Sequence, residues 1–241
     1  EGKGADIRMN DLEKERLAGR FRPSVFMDEK EPFALVGIGY TVFEEAAQSP
    51  SAPRRIHPAS HGGQLCIEYE YYYDYDIQHL YDLEHLWVYL DEERRVCGCE
   101  CSFHGMYLNA ALPGFEFSDK NLPLDEAGRV AMYVQPGKHA FLPRPELFHL
   151  FIDFRESCME KAGADGILAP DIVPGLPRHS QRDERMAERY VKEHFCFVPS
   201  EKYIPGGSDA PLMPWEKLQR MIPERIAAEL EKIREYGRKL M

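Results

Sequence analysis

The 241-residue sequence has only six cysteines and two tryptophans, fewer basic than acidic side chains, and no long uninterrupted apolar run. Each scarcity excludes something. Six cysteines in so long a chain do not make a disulfide scaffold. A net charge of −11, from 41 Asp and Glu against 30 Lys and Arg, argues against a general nucleic-acid binder, because the phosphate backbone rewards positive charge. No window approaches the ~20 consecutive apolar residues that span a bilayer, so no transmembrane segment is expected. Residues 1–20 are polar and lack the apolar stretch of a signal peptide. With cysteines expected to be reduced, this favours a cytoplasmic location, secretion being the alternative.

Several catalytic signatures are also missing. There is no G-x-S-x-G, no P-loop and no G-x-G-x-x-G; Gly37-Ile38-Gly39 lacks the third glycine. Glu84-His85 is not half of H-E-x-x-H, since Val88 stands three residues beyond His85. Those hydrolase, nucleotide-binding and metalloprotease templates drop out.

What is present reads mainly as strands. Residues 33–43 form an apolar run bounded by acids. From Gln64 the chain alternates: Leu65, Ile67, Tyr69, Tyr71, Tyr73 and Tyr75 share one face. Cys66, Glu68, Glu70, Tyr72, Asp74 and Asp76 share the other. Residues 84–90 and 96–103 form a hairpin across Asp91-Glu92-Glu93-Arg94-Arg95, and a strand over 129–135 is interrupted by Pro136-Gly137. Cys97, Cys99 and Cys101 alternate, so all three are expected on one strand face. Without C-x-x-C spacing they read as small buried hydrophobes rather than zinc ligands.

Helical signals lie at the two ends. Asn10-Asp11-Leu12-Glu13 starts a short helix over 10–19. Ser180-Gln181-Arg182-Asp183 is a capping box before Met186, Tyr190 and Val191. Residues 163–177 are loop-like. Residues 214–241 carry an apolar stripe (Trp215, Leu218, Ile222, Ile226, Leu230, Ile233), expected as a broken helix or two helices with Pro223 in a new first turn. Short strands with turns between them, and no alternating strand-helix pattern, predict a mainly β (α+β) protein. The expected architecture is an antiparallel β-sandwich with appended C-terminal helices. Residues 21–155 would be its core and 156–241 a loop and helical extension packed on it, as one compact domain. The stripe also offers a route to an oligomer.

The densest chemistry is His79-Leu80-Tyr81-Asp82-Leu83-Glu84-His85. The acidic strand face leads straight into it through Asp74 and Asp76. Crowded carboxylates repel, and a bound cation or proton relieves them. With oxygen donors and a single imidazole, Ca²⁺, Mg²⁺ or Mn²⁺ suits the set better than Zn²⁺. Asp74, Asp76, His79, Asp82 and Glu84 are therefore the candidate metal ligands. His104, before Gly105, and His139, after Pro136-Gly137-Lys138, are candidate acid-base residues together with His85, since imidazole titrates near neutrality.

Residues 67–71 (Ile67-Glu68-Tyr69-Glu70-Tyr71) followed by His79-Leu80-Tyr81-Asp82-Leu83-Glu84-His85-Leu86-Trp87-Val88 resemble the central segment of the necrosis- and ethylene-inducing (NLP) proteins. The heptapeptide of that family is G-H-R-H-D-W-E. Ser102-Phe103-His104-Gly105 is similar to its Ser-x-His-Gly. Gly137-Lys138-His139-Ala140 resembles the G-S-H-A segment of the vacuolar protein-sorting family sixty-two, and the opening from Pro23 to Phe33 is like that family's. The resemblance spans residues 21–145. It implies a β-sandwich with an acidic cavity holding a divalent cation on His79, Asp82, Glu84 and either Asp74 or Asp76. Gln78, Leu80, Tyr81 and Leu83 replace the family's Gly, Arg, His and Trp, so its activity on plant sphingolipid head groups is not carried over.

Three functional expectations result. The first is a cation-binding sandwich recognising a small polar ligand, a glycan or lipid head group. The second is a metal-assisted hydrolase at the same cavity. The third is an interaction protein with no site.

Overall fold

The computed structural model describes residues 8–111, 121–150, 154–168 and 173–240. The strands are β1 (Ser24–Asp28), β2 (Leu35–Phe43), β3 (Ala47–Gln48), β4 (Arg55–Ile56), β5 (Leu65–Tyr75), β6 (His79–Leu90) and β7 (Val96–Phe103), followed by β8 (Met106–Asn109), β9 (Ala131–Val134), β10 (Phe141–Leu142), β11 (Gly166–Ile167), β12 (Tyr203–Gly206) and β13 (Leu212–Pro214). The helices are α1 (Asp11–Phe21), α2 (Phe154–Cys158), α3 (Gln181–Phe195) and α4 (Trp215–Lys239).

The larger sheet runs β13-β2-β5-β6-β7-β8, with β11 added beside β6; the smaller runs β10-β9-β1-β12. Most neighbours are antiparallel, as expected. β1–β9, β2–β13 and β6–β11 are parallel. The tyrosine-rich face of β5 turns to the smaller sheet, where Tyr71 meets Phe141 with ring centroids 4.9 Å apart. Register carries that face across the large sheet: Tyr73 pairs with Asp82, Tyr71 with Glu84, Tyr69 with Leu86, and Leu86 with Cys101. Inter-sheet burial of Val25, Met27, Met132, Val134 and these rings supplies the main core.

The ends of the chain complete the sheets. Asn10 caps α1 in a full capping box, as Ser180 caps α3. Residues 203–206 and 212–214 enter the two sheets as strands, so the C-terminal segment is interleaved with the core rather than laid upon it. The loop expected over 163–177 falls partly outside the described residues; within it, Gly166 and Ile167 pair with His79 and Leu80.

Two expectations are corrected. α4 is one continuous helix with Pro223 inside it. The apolar residues on either side of the proline, Leu218 and Ile222 before it and Ile226, Leu230 and Ile233 after it, are all buried. Burial of one stripe holds both halves in line despite the lost N–H, and it uses that stripe within the chain. Among the cysteines, Cys99 and Cys101 enter the inter-sheet core, whereas Cys97 packs with Cys66, Trp87 and Tyr89 on the opposite face. A register shift between Tyr89 and Leu90 inverts the alternation there. None of the six cysteines forms a disulfide. No helix among the described residues is long and apolar enough to cross a membrane.

Candidate functional site

Two turns build an acidic centre between the sheets. The first links β5 to β6, where Asp76 accepts the Gln78 N–H at 2.6 Å and Asp76 N–H donates to the His79 carbonyl at 2.9 Å. The second is the Pro136-Gly137-Lys138-His139 turn after β9. Gly137 has φ +69°, and a Cβ there would lie 2.8 Å from Ile77 Cβ, so the close approach of the two turns needs glycine. They are stitched by Ile77 N–H to the Gly137 carbonyl at 2.7 Å, and the Gly137 N–H donates to Glu31 Oε2 at 2.8 Å. His139 itself has φ 56°, a left-handed conformation that costs a non-glycine residue energy and is held by its surroundings.

That turn delivers two cations. Lys138 Nζ lies 2.9 and 2.7 Å from the two oxygens of Asp76. His139 Nδ1 lies 2.8 Å from Asp82 Oδ2, and its Nε2 lies 3.5 Å from Glu31 Oε1. His79 Nε2 sits 3.7 Å from Asp76 Oδ2. Glu84 accepts from the Ser102 hydroxyl, which in turn accepts the His85 N–H at 2.7 Å. Ser102 thereby replaces a ladder contact between β6 and β7. The floor is buried: His139 is 0% exposed and the Glu31 side chain 4%. The rim reaches solvent through Asp82, His79 and Lys138, whose side chains are 12%, 11% and 11% exposed.

The charges of the centre are tuned by this packing. Burial, then repulsion by Asp82, pushes Glu84 well above the ordinary carboxylate range. For His139, burial alone would lower the pKa. The hydrogen bond to Asp82 and the Glu31 carboxylate 3.5 Å away, with their charges, outweigh it and raise it to about 10. At that value the ring carries its proton through the neutral range and places a positive charge between Asp82 and Glu31.

Not every sequence candidate joins the centre. Asp76, His79, Asp82, Glu84 and His139 do. Asp74 lies instead in an ion pair with Arg225 of α4, Nε at 2.8 Å from Oδ1. His104 is in the two-residue turn joining β7 to β8, with φ 48° followed by Gly105 at 77°, a geometry that favours glycine and polar residues. It is exposed, and its Nε2 meets Gln135 Oε1 at 2.7 Å.

His85 points to the other face of β6, into a second polar cluster. There its Nε2 lies 3.0 Å from Ser51 Oγ, and Ser51 and Ser49 donate to Glu68. Ser51 also donates to Glu70. Burial lowers His85 to about 4, so it is neutral. Glu68 and Glu70 are completely buried and both raised by burial, Glu70 further by repulsion from Glu68. They are neither solvated nor part of the acidic centre.

Glu31, Lys138 and Ser102 complete the centre together with Tyr73 of the aromatic-rich strand, which the sequence places as a flanking residue; the other three were not among the sequence candidates. The available signal was position, since Glu31, Lys138 and Ser102 all lie inside the segments that carried the family resemblance.

A divalent cation does not fit this donor set as arranged. Among the described residues no group of three or more His, Cys, Asp or Glu side chains could hold a metal ion. Asp76 is closed by Lys138 and Asp82 by His139 and the Leu83 N–H.

No family model matches the chain, and no curated protein matches it. Among solved structures, the chain is similar to NLPPya in complex with glucosamine, with a TM-score of 0.34, 16% identity, and coverage of 52% of this chain and 64% of that one. The chain thus spans slightly less than two thirds of the length of that protein. It is also similar to a triple mutant of NLPPya, with a TM-score of 0.33, 16% identity, and coverage of 64% of this chain and 82% of that one.

Proposed function

We propose that this protein binds a small polar ligand bearing adjacent hydroxyls, such as a sugar or a lipid head group, at the rim formed by His79, Asp82 and Lys138. The observation that carries the reading is the contrast between rim and floor. Carboxylate, imidazole and ammonium groups reach solvent together, while Glu31, His139, Tyr73 and Ser102 hold them from beneath. Preorganised donors and acceptors of both signs suit hydroxyl recognition, because little side-chain freedom is lost on binding.

Calorimetric titration with monosaccharides, glucosamine among them, and with phosphocholine and inositol phosphate as soluble head-group analogues tests it. Saturable binding that weakens at least about tenfold in Asp82→Asn is the expected result. No binding by any of these probes at ~10 mM, or equal binding by the variant, would sink the reading.

A second reading is favoured by one observation, the raised Glu84 beside Asp82. A carboxyl group whose proton is held by burial is suited to general-acid catalysis, and Glu84 would be that acid. Activity on glycoside or phosphoester substrates that disappears in Glu84→Gln but survives in His104→Ala supports it; inactivity of the wild type on both classes rejects it.

A further inference from the structure

Glu31 of the acidic centre follows β1, whereas residues at the start of that strand line a separate cavity of about 720 Å³. That volume lies within the range of about 300–1,000 Å³ usual for small-molecule pockets. The walls come from both sheets: Val25 and Phe26 from β1, Pro205 from β12 and Ile38 from β2. No residue of the acidic centre lines it.

Arg22 is the group in this cavity whose charge is left over. It follows the last residue of α1 and precedes Pro23, and its two chain neighbours, Phe21 and Pro23, are buried. A residue before proline is held extended, so the backbone fixes where the arginine side chain begins. Arg22 is itself half-buried. A guanidinium has five N–H donors. Among the described residues, the Arg22 side chain makes one hydrogen bond, from Nη2 to the Gly207 carbonyl, and no carboxylate lies within ion-pair distance of it. Gly207 is needed for that contact: its φ is +68°, and a Cβ there would lie 2.7 Å from Leu35 Cδ2.

The other charges around the cavity are balanced or screened. Arg129 reaches Asp125 Oδ2 through Nε at 2.9 Å and Nη2 at 2.8 Å. Asp125 also accepts the Ser24 hydroxyl at 2.8 Å and the N–H groups of Ala127 and Arg129 at 2.9 and 3.0 Å. Glu126 stands exposed in the turn that follows, where water and salt weaken its field. What remains is one partly desolvated positive charge beside an apolar wall. Desolvation strengthens its attraction for an anion, and the planar guanidinium matches a carboxylate with two parallel hydrogen bonds. With Glu126 nearby, a singly charged head group suits the cavity better than a doubly charged one.

We infer that this cavity binds an amphiphilic monocarboxylate, its carboxylate on Arg22 and its apolar body along Val25, Phe26, Ile38 and Pro205. The site shares no residue with the acidic centre, so its test is separate from that of the proposed function.

Calorimetric titration of the full chain with octanoate provides the test, with octanol lacking the charge and acetate lacking the chain. Wild type should bind octanoate saturably below ~1 mM, and octanol and acetate at least about tenfold more weakly. Arg22→Gln should weaken octanoate at least about tenfold and leave octanol unchanged. Ser208→Trp, at an exposed position of the lining, should obstruct the cavity and weaken both. In amide NMR spectra, octanoate should move the signals of Val25 and Gly207 and leave those of Asp82 and His139 in place. No octanoate binding by wild type at ~10 mM, octanol binding as tight as octanoate, or full affinity in a folded Arg22→Gln overturns the inference. Tighter binding of octyl phosphate overturns it as well, by assigning a phosphate head group, and so does movement of the Asp82 and His139 signals instead of those at the cavity. If Arg22→Gln does not fold, Ser208→Trp decides: lost octanoate affinity supports the site, and unchanged affinity rejects it.

Discussion

The imidazole of His139 lies flat on the ring of Tyr73, with centroids 3.7 Å apart and planes within 4°, while its two nitrogens face Asp82 and Glu31. One residue therefore joins the aromatic floor to the carboxylates above it. Because the ring is fully buried, its charge is part of the fold's stability.

The folded pKa of His139 is raised from 6.5 to about 10. A group raised on folding contributes stability that is full below its unfolded pKa and is lost as pH rises through the folded one. Chemical denaturation of the wild type at pH 6, 8 and 9.5 (roughly spanning that window) should show a loss on the order of a few kcal/mol. His139→Gln should be less stable at pH 6 and have a flatter profile. An unchanged slope in the variant would show that the imidazolium does not set it.

Glu70 gives a prediction of opposite outcome on mutation. Its Oε2 is buried and has no hydrogen-bond partner among the described residues, and burial with repulsion by Glu68 raises its pKa. Ionising it in the fold is unfavourable, so this group removes stability as pH rises above its ordinary value of 4.5. Glu70→Gln should stabilise the protein by on the order of 1–3 kcal/mol at pH 8 and by less at pH 5, measured by urea titration.

Ser102 serves two strands with one hydroxyl, accepting from His85 N–H and donating to Glu84. Ser102→Ala leaves a buried N–H without that acceptor and Glu84 without its donor. A loss of about 1–3 kcal/mol is expected, together with a further rise of the Glu84 pKa seen by carboxyl NMR.

Gly39 leaves no space for a side chain. A Cβ there would meet Glu70 Oε2 at 2.6 Å, Leu218 Cδ2 at 3.1 Å and Trp215 Cε3 at 3.2 Å. Gly39→Ala should therefore destabilise by about 1–3 kcal/mol. The effect should shrink when combined with Leu218→Ala, which a double-mutant cycle measures.

Asp74 was as good a candidate as Asp76 by sequence, and the fold separates them. Its partner is Arg225, so Asp74→Asn should leave any binding at the acidic centre unchanged while Asp76→Asn alters it. Equal effects of the two substitutions would contradict the separation.

Strand faces and helix caps were legible because they rest on local rules: the alternation along β5, and the capping boxes at Asn10 and Ser180. The segment from His79 to Glu84 could also be singled out. What could not be read is what long-range packing decides. A register shift at Tyr89 moved Cys97 to the other face, and α4 supplied Arg225 to Asp74 from 151 residues away. The loop carrying Ser49 and Ser51 folded over Glu68 and Glu70 and converted an apparent solvated face into a buried one. Lys138 is 62 residues from Asp76, and Glu31 is 106 residues from Gly137, distances at which spacing along the chain carries no signal.

The interleaving of residues 203–214 with both sheets has a consequence for biosynthesis. β12 lies beside β1, and β13 beside β2, so two strands made early wait for neighbours made late. Until residue 214 has left the ribosome, both flanks stay bare, and bare strand edges invite pairing with other chains. A fragment ending before residue 203 would carry the same exposed edges permanently. Aggregation of such truncated products is the expected outcome, and light scattering of a fragment ending before residue 203 against the full chain checks it.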